Sequence, residues 1–340
     1  MKKLLIALIF CYSIIATACA ANPTTTPEVA STSSNIIIPI EQATVSIASP
    51  ARGNPGVGNA ASAVAVPTFS DMAYASVSSA EKLDLYIPMG EGPFPLIILV
   101  HGGAFLMGDK AAGDATTGVD QLLSQGFAVA SINYRLSGEA KAPAQIQDLK
   151  AAVRFLRAKA TDYKLNTEKI GVWGGSAGGG SLVSLLGTSC GVPELEGPEL
   201  GNSGESSCVQ AVVDWFGPID FLQMDAQFAG TSCPVDHDAA NSPESQLVGG
   251  PIQDNTEAVR LVNAMTYVTD DDPPFFIQHG TADCNVPPQQ SQNFYNTLSS
   301  TIGADKVTLT LIDGAGHGGS QFSTPENLAL VIDFFTRYLK

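Results

Sequence analysis

The run Gly174-Gly175-Ser176-Ala177-Gly178 constrains this chain more than any other. It follows the short apolar stretch Ile170 to Trp173 and opens a small-residue segment, Gly179 to Leu186, that can continue as a helix. A serine at such a boundary sits on a turn so tight that the residues two before and two after it crowd one another. Glycine tolerates both the crowding and the unusual backbone angles. Strand, turn and helix in that order are what a nucleophile elbow requires. A bare Gly-x-Ser-x-Gly occurs often by chance, so the rest of the chain has to supply the weight.

Three further strand ends supply it. Leu96 to Val100 is a five-residue apolar run with β-branched members, which reads as a buried parallel strand, and it empties into His101-Gly102-Gly103-Ala104-Phe105. Consecutive glycines there leave backbone N–H groups open to a developing negative oxygen. Pro274 to His279 leads into Gly280-Thr281-Ala282-Asp283-Cys284-Asn285, where the aspartate either makes an Asx-turn or orients an imidazole. Lys306 to Ile312 alternates through Val307, Leu309 and Leu311 and ends in Asp313-Gly314-Ala315-Gly316-His317-Gly318-Gly319. A histidine among that many small residues is not a core histidine, whose neighbours are apolar. The order Ser176, Asp283, His317 is that of a nucleophile, its orienting acid and its base. All three are needed: a serine hydroxyl is a poor nucleophile at neutral pH until an oriented histidine takes its proton.

On these residues the chain resembles the α/β-hydrolase esterases, and within them the secreted bacterial feruloyl- and acetyl-esterase-like branch, related to the hormone-sensitive-lipase-like enzymes. The resemblance runs from about Asp71 to the C-terminus. It also draws on Lys82-Leu83-Asp84-Leu85-Tyr86-Ile87-Pro88, Asn133-Tyr134-Arg135-Leu136 and Trp215-Phe216-Gly217-Pro218. It implies an α/β-hydrolase fold: a mostly parallel central sheet with helices on both faces and a lid insertion. It makes Ser176 the nucleophile, His317 the base and then the acid, and Asp283 the orienting acid. Ala177, Gly103 and Ala104 would donate the oxyanion-hole N–H groups. Ala104 stands where hormone-sensitive-lipase-like enzymes often carry a third glycine, a change that keeps the backbone donor.

The implied activity is that of a cofactor-free serine carboxylesterase, with no metal, acting on short-acyl or feruloyl and acetyl esters, either small or polysaccharide-linked. An arylformamidase-like amide hydrolase shares the His-Gly-Gly motif, but an export signal argues against it. A prolyl-oligopeptidase-type peptidase shares the triad, but fewer than eighty residues precede the hydrolase region here. A binding module on the same fold usually lacks the nucleophile or the histidine.

With 340 residues, 44% hydrophobic and only 15% charged, the chain can bury a sheet covered on both faces. Its formal charge of −16 argues against a nucleic-acid partner, which wants a basic face. Residues 1–20 read as an export signal: Lys2 and Lys3, then an apolar Leu4 to Ile15 too short to span a bilayer, then small residues. Cleavage before Cys19 would give a lipoprotein anchored through that cysteine. Cleavage after Ala20 would give a free secreted or periplasmic protein. Residues 21–70 read as a linker or arm, rich in Thr, Ser and Pro at its start and interrupted by Ile36-Ile37-Ile38.

Export leaves Cys190, Cys208, Cys233 and Cys284 for two disulfides from three connectivities. Cys190 and Cys208 flank one loop, and pairing them would leave Cys233–Cys284 to tie the insertion to the Asp283 loop. Cys233, Asp236, His237 and Asp238 fit no standard zinc spacing.

The hydrolase region, 71–340, is expected to begin with a strand at Leu83 to Ile87. Strands follow at Leu96 to Val100, Phe127 to Asn133, the elbow, Val209 to Phe216, Pro274 to His279 and Val307 to Ile312. Helices are expected from Ala144, near Gln289 to Leu298, and from Ser323 onward. In the helix from Ala144, Lys150, Arg154 and Arg157 read as a solvated face. Residues 221–267 break the rhythm and are expected to form the lid, with Trp215 and Phe216 either lining the pocket or in the core.

Overall fold

The computed structural model describes residues 65–340. The expected signal, Cys19 and residues 21–64 of the arm lie outside them. The described chain forms β1 (Phe69–Ala73), β2 (Lys82–Tyr86), β3 (Phe94–Val100), β4 (Ala128–Ile132), β5 (Leu165–Gly175), β6 (Ala211–Trp215), β7 (Phe275–Gly280) and β8 (Val307–Ile312). They make a single sheet in the order β1-β2-β4-β3-β5-β6-β7-β8. β2 pairs antiparallel with both β1 and β4, and every other pairing is parallel.

The period of two along each strand sorts its side chains onto two faces. Leu96, Ile98 and Val100 share one core with Val172, Val212 and Ile277, whereas Ile97 and Leu99 share the other with Trp173, Val213 and Phe276. The intervening helices are α1 (Val119–Ser124), α2 (Ala144–Ala158), α3 (Ala160–Tyr163), α4 (Ser184–Thr188), α5 (Met224–Phe228), α6 (Pro243–Val248), α7 (Thr256–Val262), α8 (Gln289–Ile302) and α9 (Pro325–Leu339). α2 and α8 close the first core through Ile146, Leu149, Leu156, Phe294 and Leu298. α1 and α9 close the second through Leu122, Val331, Phe335 and Leu339. Near-continuous apolar strands are the consequence of being covered on both sides.

Two expectations change. The sheet begins at Phe69, inside the stretch read as an arm. β1 is an edge strand whose side chains are mostly exposed, so it carries no alternating apolar pattern. Polar contacts hold it: Asp71 donates its N–H to Asp84 Oδ1 at 2.8 Å, and Lys110 Nζ sits 3.0 Å from Asp71 and 2.9 Å from Asp84.

The basic side of α2 is not a solvated face. The Cys190–Cys208 loop folds over it and presents carbonyls, so Lys150 and Arg154 are buried. Lys150 donates to Ser189 O and Glu196 Oε1, and Arg154 donates to the carbonyls of Glu196, Gly197 and Gly201. Arg157 reaches Cys208 O at 2.7 Å. A periodicity argument sees only that these cations leave the sheet, not that a distant loop covers them.

Both disulfides form as Cys190–Cys208 and Cys233–Cys284, which fits a chain that matures in an oxidising compartment. Among the described residues no helix is long and apolar enough to cross a membrane. The two bridges close loops of 18 and 51 residues. Chain entropy alone then makes them worth about 3 and about 4 kcal/mol. Denaturant unfolding of the two paired Cys→Ser variants checks this, and a larger loss for Cys190–Cys208 contradicts it.

Candidate active site

β3 and β5 run parallel with Val100 opposite Gly174, so their carboxyl ends open side by side. β5 stops at Gly175, and Ser176 takes φ 60°, ψ −136° before a π-helical turn, Ala177–Val183, leads into α4. A non-glycine residue at such angles stores roughly 1–3 kcal/mol of strain that its surroundings must hold. The serine itself therefore carries the turn's positive φ, which the sequence reading had assigned to its glycines. Gly178 is required for a different reason. A Cβ there would lie 1.5 Å from the carbonyl oxygen of His101, so the elbow and the His-Gly-Gly loop touch backbone to backbone. Gly180 meets Gly217 in the same way, at 1.6 Å. The His101 carbonyl also accepts from Tyr134 Oη at 3.0 Å, and the two rings stack at 4.5 Å. Asn133, beside that tyrosine, accepts the Lys110 N–H at 2.6 Å. These contacts tie Asn133 and Tyr134 to the loop that follows β3.

The structure brings Ser176, His317 and Asp283 into one line. Ser176 Oγ lies 2.8 Å from His317 Nε2, and His317 Nδ1 lies 2.7 Å from Asp283 Oδ2. The two donor loops leave the parallel strands β7 and β8 at paired residues, Gly280 and Ile312. They are laced together by Ala282 N–H to Ala315 O at 2.9 Å and Gly314 N–H to Thr281 Oγ1 at 2.8 Å. Phe216 presses edge-on against the His317 ring at 4.8 Å. Asp283 Oδ1 accepts the N–H groups of Asn285 and Val286 at 2.8 and 3.0 Å, so both its oxygens are committed.

Sequence reasoning missed the partner on the other side of that carboxylate. His279, fully buried on β7, holds Nε2 3.0 Å from Val286 O and 3.3 Å from Asp283 Oδ2. A carbonyl only accepts, so Nε2 carries a proton, and Nδ1 lies 2.7 Å from Ser291 Oγ. Burial alone would raise the Asp283 pKa. Hydrogen bonds from His279 and His317 more than offset it, holding the carboxyl well below the usual range. The only sequence signal for His279 was its place four residues before Asp283, in a run that reads as ordinary strand.

A cavity of about 280 Å³ opens over Ser176. Ala104, Ala177 and His317 line it, together with Val235, His237 and Glu244 from the 221–267 insertion. Ala104 takes φ 56°, and neither it nor Gly103 donates its N–H elsewhere among the described residues. Gly103 lies behind the lining, where a Cβ would fall 2.1 Å from Met107 O. Trp215 and Phe216 belong to the core with Trp173 and Phe322, and Phe216 acts on the cavity only through His317.

The insertion is made of α5, α6, α7 and short turns, and Cys233–Cys284 ties it to the residue after Asp283. Oxidised Cys233 offers no thiolate, and among the described residues no cluster of three or more His, Cys, Asp or Glu could hold a metal ion. A larger cavity, about 670 Å³, lies between the Cys190–Cys208 loop and residues 266–273, but no serine, histidine or free thiol lines it.

A family model described as BD-FAE matches residues 83–298. Esterase LipC of Mycobacterium tuberculosis (strain ATCC 25618 / H37Rv) is 30% identical over 226 residues, 66% of this chain and 53% of that protein. The chain thus spans about half the length of that relative. Among solved structures, a bifunctional GH43-CE protein of Bacteroides eggerthii is 39% identical with a TM-score of 0.71, covering 79% of this chain and 35% of that one. A truncated carbohydrate esterase from gut microbiota is 36% identical with a TM-score of 0.71, covering 79% of this chain and 95% of that one.

Two outcomes follow from the geometry. Gly178→Ala should destabilise at or above the upper end of the roughly 1–3 kcal/mol that overpacking costs, whereas Gly316→Ala, whose Cβ meets nothing within 4 Å, should be near neutral. Urea midpoints test the pair, and equal losses contradict the close approach. A depressed Asp283 pKa adds stability that is present above the ordinary carboxylate value and lost as pH falls through the folded one. The stability gap between wild type and Asp283→Asn should therefore be full at neutral pH and narrow below about pH 4. A gap that widens in acid contradicts the assignment.

Proposed function

The chain belongs to the BD-FAE family, an α/β-hydrolase esterase family, and from that premise we propose that it is a serine carboxylic ester hydrolase using Ser176, His317 and Asp283. The observation that carries this reading is the unbroken line from Ser176 Oγ through His317 to Asp283 at 2.8 and 2.7 Å, with the serine strained at a strand end.

In the proposed reaction His317 Nε2 takes the Ser176 proton as Oγ bonds to the ester carbonyl carbon. Asp283 fixes the ring so that Nε2 faces the serine, and it stabilises the imidazolium. The carbonyl oxygen becomes anionic and is met by the N–H groups of Ala177 and Ala104, which border the cavity, with Gly103 backing Ala104. Collapse breaks the bond to the alcohol oxygen, which leaves with the proton from His317, and Ser176 stays acylated. Water, deprotonated by the same histidine, then releases the acid and restores the serine. No cofactor enters any step.

The cavity is small, which supports short acyl groups such as acetyl. The carbohydrate esterase among the structural relatives supports a polysaccharide-linked alcohol, and the feruloyl-type alternative shares that alcohol. Two disulfides support an exported enzyme, secreted or in the cell envelope.

A panel of p-nitrophenyl esters of rising chain length, with methyl ferulate and acetylated xylan, tests the class. Short esters should dominate, and activity on long acyl chains alone would mean a lipase. Ser176→Ala should lose roughly 10⁶-fold in kcat. Asp283→Asn should lose roughly 10⁴-fold by releasing the ring orientation. Folded Ser176→Ala protein with near-wild-type turnover refutes the proposal.

A further inference from the structure

One charged group on the cavity over Ser176 serves neither the acyl transfer nor the sheet. Glu244, in the first turn of α6, is 4% exposed and lines that cavity with Ser176 and Ala177. Its Oε2 lies 3.2 Å from Nδ1 of His237, itself 7% exposed and on the same wall. Oε2 is sealed from solvent and, like His237 Nε2, meets no hydrogen-bond partner among the described residues, which leaves Oε1 as the carboxylate oxygen open to the cavity that Glu244 lines. A carboxylate this buried with an unmatched oxygen is unfavourable unless a donor meets it.

The surroundings say which donor. Burial would lower the His237 pKa, but Glu244 beside it, with Asp225, raises it on balance. His237 Nδ1 thus faces Glu244 as the partner of its charge. Its ring stacks on Phe228 at 6.2 Å, and its backbone N–H donates to Asp225 Oδ1 at 2.9 Å, so its position is fixed from two sides. A carboxylate already facing an imidazole, with one oxygen open to the cavity, suits a hydroxyl. An ammonium group would want an unpaired charge. Asp236, exposed to solvent, and Asn285 also border the cavity, while Phe105, Val235 and Val286 supply an apolar surface that suits the carbon frame around such a hydroxyl.

We infer that Glu244, fixed by His237, is the specificity-determining residue that accepts a hydrogen bond from a hydroxyl carried by the ester substrate close to its scissile bond. This rests on the ester-hydrolase reading and deepens it. The hydroxyl can belong to the alcohol half, as in a partly acylated polyol, or to the acyl half, as in a hydroxy acid. The chemistry at Oε1 is the same.

Two isosteric substrate pairs separate those sources and test the residue. 2-Hydroxyethyl acetate against propyl acetate reads a hydroxyl on the alcohol, and ethyl glycolate against ethyl propionate reads one on the acyl group. In one pair, wild type should favour the hydroxylated ester in kcat/KM by about tenfold to a hundredfold, the range of a hydrogen bond to a charged group. Glu244→Met should bring that ratio close to one, chiefly through KM. Glu244→Gln, which keeps the shape and a weaker acceptor, should give an intermediate ratio and covers the case in which the methionine variant does not fold. A ratio unchanged in either folded variant, or no preference by wild type in either pair, overturns the assignment of Glu244. Wild type that cleaves none of the four esters overturns instead the ester-hydrolase reading on which it rests.

Discussion

The α-carbon of Gly178 lies against the carbonyl of His101, with no room for even a methyl group between them. Much of the site depends on that approach. It fixes the elbow helix against the loop after β3, so that Ala104 and Ala177, from segments seventy residues apart in sequence, border one cavity with Ser176. The parallel register of β3 and β5 brings the two segments level, and the Tyr134 hydroxyl holds the His101 carbonyl from the other side. Gly180 against Gly217 repeats the device toward β6. The strain at Ser176 persists because its flanks are pinned by contacts that admit no alternative arrangement.

Charge at the site is managed by saturation. Asp283 is buried, which by itself disfavours its ionised form, yet each of its oxygens is met: one by two backbone N–H groups, the other by two histidines. His279 is the inner of those histidines and His317 the outer. The inner one has no path to substrate and acts by holding the carboxylate in place and ionised. Phe216 does the matching task for the outer ring by apolar contact. The Glu244–His237 pair differs in having one oxygen left over, which sets it apart from the other buried charges near Ser176.

Remote loops are anchored by the same logic. α2 sends Lys150, Arg154 and Arg157 under the Cys190–Cys208 loop, where carbonyls of five residues accept their hydrogen bonds. The second bridge joins the 221–267 insertion to the residue beside Asp283. The wall of the cavity and the Asp283 loop are therefore covalently linked. Movement of the insertion is restrained at the point where it would most disturb His317.

The strands were legible in the sequence because a sheet covered on both faces must be built from apolar runs such as Leu96 to Val100 and Pro274 to His279. The order Ser176, Asp283, His317 was legible because each ends such a run in small residues. β1 was not, since an edge strand held by Asp71, Asp84 and Lys110 carries no alternating pattern. His279 reads as an ordinary strand residue, Phe216 as either pocket-lining or core, and Lys150 and Arg154 as solvent-facing. Periodicity reports which way a side chain leaves its own element, but not what another part of the chain lays over it. Sequence alone therefore determined the elements and the order in which Ser176, Asp283 and His317 follow their ends. Tertiary structure decided which backbones touch, which charges are buried, and that Glu244 and His237 come to stand over Ser176, because those are facts about segments far apart along the chain.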